Sequence, residues 1–99
     1  MIKARWTAPT SLTITGHAGY AERGKDIVCA GVSTLWGTLI AELEDRDWNG
    51  EGELSIKDGT VAFRAKDEKA IEGIYSICWR GILLLAARYG EYIDAERTF

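Results

Sequence analysis

Asp58-Gly59 separates two stretches, Glu53 to Lys57 and Thr60 to Lys66, in which apolar and polar residues alternate. A two-residue Asp-Gly loop between such stretches favours a type I′ hairpin. The turn also sets the register: with Lys57 opposite Thr60, Ile56 faces Val61 and Leu54 faces Phe63. Four apolar side chains then share one side of the ladder. A sheet with one apolar side must be covered, so the rest of the chain has to supply both neighbouring strands and a lid of helices.

The strands come first. Ile2, Ala4 and Trp6 alternate with Lys3, Arg5 and Thr7, Pro9 breaks the run, and Ser11 to Thr15 resumes it with Leu12 and Ile14 inward. After Asp26, the residues Val32, Leu35, Trp36, Leu39, Ile40 and Leu43 keep the three-and-four spacing of one helical face, which ends in Glu44-Asp45-Arg46-Asp47. Glu68 to Tyr89 predicts a second helix, with Ile71, Ile74, Cys78, Ile82 and Leu85 on one stripe, and Gly90 ends it. Its apolar arc also takes in Tyr75, Trp79 and Leu83, which fits either a subunit interface or a two-helix layer. Glu91 to Glu96 predicts a last strand. The expected fold is α+β, a two-layer α/β sandwich of order ββαββαβ with a mostly antiparallel sheet and two helices on one face.

Ninety-nine residues, 46% of them hydrophobic, suffice for one domain spanning 1–99 around one core. A net charge of −3 provides no positive field to draw in nucleic acid or an anionic membrane. The longest apolar run, Gly81 to Ala87, is far short of the ~20 residues that span a bilayer. Cys29 and Cys78 form no C-x-x-C, and a single histidine completes no familiar zinc set, so no metal is expected. With no signal-like segment at the start, these features predict free thiols in a reducing cytoplasm.

The segment Gly16 to Lys25, GHAGYAERGK, is glycine-rich and aperiodic, which reads as a loop. It carries the sole histidine, His17, twelve positions before Cys29. With Asp26 as N-cap, Cys29 falls at the third helical position, where free amides and the helix dipole favour a thiolate. An imidazole brought to that sulfur would manage its proton, as nucleophilic catalysis by cysteine requires. Asp26 could orient the imidazole instead of capping the helix, and capping is favoured. Ser33, one turn beyond Cys29, is within reach of the same centre or is a packing residue. Each of these residues also has a plainer reading. Cys29 lies near the apolar stripe and small thiols are commonly core residues, as Cys78 is expected to be. A loop histidine bonded to backbone and glycines that serve only as turns would look the same.

The run Gly16-His17-Ala18-Gly19-Tyr20-Ala21 through Gly24-Lys25-Asp26-Ile27-Val28-Cys29-Ala30 resembles the signature of the ribosomal-processing cysteine protease family Prp. The match continues to Ser33, and the order of strands and helices agrees over the whole chain. The resemblance implies a homodimeric cysteine endopeptidase that removes a short N-terminal extension from a large-subunit ribosomal protein. It makes His17 the base and Cys29 the nucleophile, with Asp26 and Ser33 in support. Gly16, Gly19, Tyr20 and Gly24 would belong to a loop that orders over bound peptide. Amides at the helix start would stabilise the oxyanion, and no cofactor is implied. Trp36, Trp48 and Trp79 are bulkier than the family pattern, and Tyr89-Gly90 stands where a proline is frequent. Those departures bear on substrate choice and dimer packing. The alternatives are a phage-type homologue acting on a phage structural protein, a non-catalytic ribosome or assembly binding module, and a thiol redox sensor.

Overall fold

A computed structural model describes residues 1–45, 52–57, 59–65 and 68–99. Two strands, β1 (Ile2–Ala8) and β2 (Ser11–Thr15), lead to helix α1 (Ile27–Asp45). A second strand pair, β3 (Gly52–Lys57) and β4 (Thr60–Ala65), precedes helix α2 (Glu68–Arg88) and strand β5 (Ile93–Arg97). The order ββαββαβ is the expected one. β5 begins at Ile93 rather than Glu91, because Tyr89 to Tyr92 is used to turn the chain, with the Tyr92 amide donating to the Tyr89 carbonyl at 2.9 Å.

One five-stranded sheet runs β3-β4-β2-β1-β5. Three of its pairings are antiparallel and β1–β5 is parallel, so the sheet is mixed but mostly antiparallel. The hairpin register is as predicted, Lys57 opposite Thr60, Ile56 opposite Val61 and Leu54 opposite Phe63. Asp58, the first residue of the expected turn, lies outside the described residues, as do Arg46, Asp47, Trp48 and Lys66. Gly59 has φ +76°, the left-handed conformation that an Asp-Gly hairpin asks of its glycine.

Alternation places Ile2, Ala4, Trp6, Leu12, Ile14, Val61, Phe63 and Ile93 on one side of the sheet, all buried. Both helices cover this side. α1 contributes Val28, Val32, Leu39 and Leu43, and α2 contributes Ile71, Tyr75, Cys78, Trp79 and Ile82. On the opposite side Arg5 pairs with Asp94 at 2.8 Å. The two helices approach closely at Gly81, where a Cβ would overlap the side chain of Leu35.

Two expectations change. The tally of apolar runs overlooked α1, whose 19 residues are long and apolar enough by composition to cross a membrane, with mean hydropathy 1.3. Ser33, Thr34 and Thr38 interrupt the runs without adding charge, and the helix lays its buried stripe on the sheet as the cover of this core. The wide arc of α2 divides as well. Tyr75 and Trp79 go into the core, while Ile77 and Leu84 remain 77% and 75% exposed on its outer face.

Candidate active site

The site is built where the loop 16–26 leaves β2 and returns to start α1. Gly16 opens the loop with φ +85°, and its amide donates to the Gly59 carbonyl at 3.1 Å. A Cβ at this position would meet the Met1 carbonyl oxygen at 2.5 Å, so glycine is needed for space as well as for conformation. Gly19 and Gly24 also take left-handed φ values in the same loop, of +71° and +88°. His17 follows Gly16 and is exposed, with its Nε2 beside Gly59 at the hairpin tip, 3.5 Å from where a Cβ would stand.

Asp26 joins loop and helix. Its Oδ1 accepts from the amides of Val28 at 3.0 Å and Cys29 at 2.9 Å, which is the expected N-cap. Its Oδ2 accepts from the loop amides of Tyr20 at 3.0 Å and Ala21 at 3.4 Å. The Cys29 amide above all, with those of Ala21, Tyr20 and Val28, holds the carboxyl below its ordinary value of 3.8 against an opposing contribution from burial. The carboxylate therefore caps the helix and ties down the loop, and no hydrogen bond joins it to His17 among the described residues.

Cys29 is half-buried, and its Sγ accepts a hydrogen bond from the Ala18 amide at 3.2 Å. Ala18 itself is buried in the core. The expectation that helix-start amides would serve an oxyanion needs correction. Val28 and Cys29 spend theirs on Asp26 Oδ1, and the amide left facing the sulfur comes from the loop.

Two clefts meet at this sulfur, and His17, Cys29 and Ser33 line both. The smaller, about 160 Å³, is walled by Ile14, Val32, Trp36, Ile56 and Val61. The larger, about 710 Å³, is open and runs along the loop past Gly19, Arg23, Gly24 and Asp26. Together they form a groove, an apolar recess joined at Cys29 to a wider, loop-lined channel. Among the described residues no hydrogen bond joins His17 to Cys29, and the Ser33 hydroxyl has no hydrogen-bond partner. The three side chains share the groove with no hydrogen bond among them. No group of three or more His, Cys, Asp or Glu residues suited to a metal ion occurs among the described residues.

Sequence reasoning missed Ile56. By register it lies on the covered side of the sheet, yet it is 58% exposed as a wall of the recess. It also missed Tyr89 and Tyr92, whose rings meet Tyr20.

Comparison with known proteins places this geometry. A crystal structure of the ribosomal processing protease Prp from S. aureus with a covalently linked product peptide superposes with a TM-score of 0.86 at 23% identity, covering 98% of this chain and 99% of that one. A second structure of the S. aureus protease, with a substrate peptide, gives 0.79 at 22% identity and the same coverage. SMU.848 from Streptococcus mutans gives 0.72 at 29% identity, covering 98% and 93%. These likenesses establish the fold, and no curated protein sequence matches the chain. The family described as cysteine protease Prp matches over residues 1–94, nearly the full length. This chain belongs to the Prp family of cysteine proteases, and is a cysteine-type hydrolase.

Proposed function

We propose that the protein is an endopeptidase that cuts a short N-terminal extension from a large-subunit ribosomal protein, with Cys29 as nucleophile and His17 as base. The observation that carries the proposal is the Ala18 amide aimed at the Cys29 sulfur, 3.2 Å away, in a groove that the only histidine also lines. An N–H donor stabilises a thiolate more than a thiol, and the dipole at the start of α1 acts in the same sense. His17 accepts the thiol proton once its ring turns from the hairpin tip toward the sulfur.

The thiolate then attacks the scissile carbonyl and forms a tetrahedral oxyanion. Collapse breaks the C–N bond, and His17 returns its proton to the departing amine. Water, deprotonated by His17, attacks the resulting thioester and releases the new carboxylate and the free thiol. The Ala18 N–H is the donor nearest the reacting sulfur and is available to the oxyanion. Asp26 supports the chemistry by fixing both the first turn of α1 and the loop, and Ser33 supplies a free hydroxyl on the groove wall. Gly19 and Gly24 line the channel and Gly16 the recess, where an extended peptide would lie.

The exposed Ile77 and Leu84 on α2 support a homodimer through that helix. Both cysteines are free, which suits a cytoplasmic setting. The test incubates the native protein and Cys29→Ala with ribosomal proteins of the same cell and reads their N-termini by mass spectrometry. A shortened large-subunit protein appears with the native enzyme alone. Equal cleavage by Cys29→Ala, or no ribosomal product at all, removes the assignment.

A further inference from the structure

Tyr20 stands in the loop two residues after Ala18, and its ring is set edge-on against two others. It lies 5.6 Å from Tyr89 with planes at 73°, and 5.2 Å from Tyr92 with planes at 85°. Edge-to-face pairs at such distances are favourable beyond the area they bury. The two partner rings sit on a stiff turn. The Tyr89 amide donates to Leu85 at 2.7 Å, that of Tyr92 donates to Tyr89 at 2.9 Å, and the Tyr92 carbonyl accepts from Ile2 at 2.9 Å. The turn between α2 and β5 is thereby joined to the sheet, and both tyrosines are half-buried against the core.

Tyr20 is otherwise poorly anchored. It is 42% exposed, and besides its ring contacts its one hydrogen bond among the described residues is from its amide to Asp26 Oδ2 at 3.0 Å. Gly19, at φ +71°, is the one residue between it and Ala18. Without the aromatic contacts the loop would pivot about the Asp26 carboxylate, carrying the Ala18 amide with it.

We infer that Tyr89 and Tyr92 form a seat for Tyr20 that positions the Ala18 amide on the Cys29 sulfur, making these three tyrosines positioning residues for the nucleophile. The inference rests on the Cys29 protease reading. The three residues lie on two segments far apart in the sequence and serve the reaction through the loop, without touching the sulfur.

The test compares Tyr20→Phe, Tyr20→Ala, Tyr92→Ala and the double alanine variant in the full chain. Steady-state cleavage is measured with the peptide cut by the native enzyme, and hydrogen exchange is measured on the loop peptide that contains Ala18. Tyr20→Phe keeps the ring and retains native loop protection. Tyr20→Ala lowers kcat about tenfold, the scale expected for losing two ring contacts, with KM changed less than about twofold. Tyr92→Ala gives the same direction, and the double variant is no worse than Tyr20→Ala, since Tyr20→Ala already removes the contact that Tyr92→Ala removes. Native kcat and native loop protection in Tyr20→Ala overturn the inference, as does full additivity in the double variant. Loop protection is read without substrate, so a failure of the protease assignment shows separately, as cleavage that survives Cys29→Ala.

Discussion

The backbone amide of Ala18 points at the sulfur of Cys29 from 3.2 Å, across a turn of loop rather than along a helix. Helix-start amides are the usual expectation for a thiol at this position, and here Asp26 has claimed two of them. The environment of the thiol is therefore tied to the shape of the loop, and whatever disturbs the loop reaches Cys29.

Asp26 is the first place to see this. Its carboxyl is lowered, and a carboxyl lowered on folding contributes stability in full above its unfolded value, which is lost as pH falls through the folded one. Asp26→Asn should lower Tm by roughly 5 °C at neutral pH, and the gap to the native protein should narrow as pH drops below about 4. Thermal melts across that range decide it. A gap that stays constant or widens in acid would show that the charge of Asp26 does not carry the cap.

The two thiols should label very differently. Burial pushes Cys78 up to about 11, so on the order of one molecule in 10⁴ carries the thiolate there at neutral pH. Cys29 is half-buried, opens on the groove and has the Ala18 donor. Iodoacetamide followed by peptide mapping should modify Cys29 at least tenfold faster than Cys78 in the folded protein. Equal rates would sink the distinction.

On α2, Ile77 and Leu84 are two turns apart on one exposed face. Leu84→Glu should shift the mass found by light scattering from dimer toward monomer, because a carboxylate in an apolar contact between copies would lose its water. Removing an exposed leucine should leave Tm within a few degrees of native. A native protein already monomeric at high micromolar concentration would contradict the dimer.

Much of this molecule is written locally. The Asp-Gly turn sets a register that holds at every predicted pair, and Asp26 followed by an apolar stripe marks the start of α1 and puts Cys29 at its third position. The sheet order is different in kind. No local signal says that β5 lies parallel to β1, because that neighbour is chosen by how α2 crosses the sheet. The site follows the same division. His17 and Cys29 stand out by residue type and spacing, while Ile56 was hidden by a register that placed it on the covered side. Tyr89 reads as the last residue of a helix and Tyr92 as part of the last strand, and only the tertiary fold brings Tyr20 against them. The amide donors showed the limit most clearly: spacing identifies which amides lie near the sulfur, but not that a carboxylate has already taken them.

The parallel ladder from Ile2 to Ile93 joins nearly opposite ends of the sequence. Closing so long a loop is entropically costly, so this strand should dock late in folding, after the hairpins and helices have formed. Until it does, the turn bearing Tyr92 has no fixed place from which to steady the loop over the thiol. A peptidase assembled in this sequence would gain its cutting power only with the last strand to arrive.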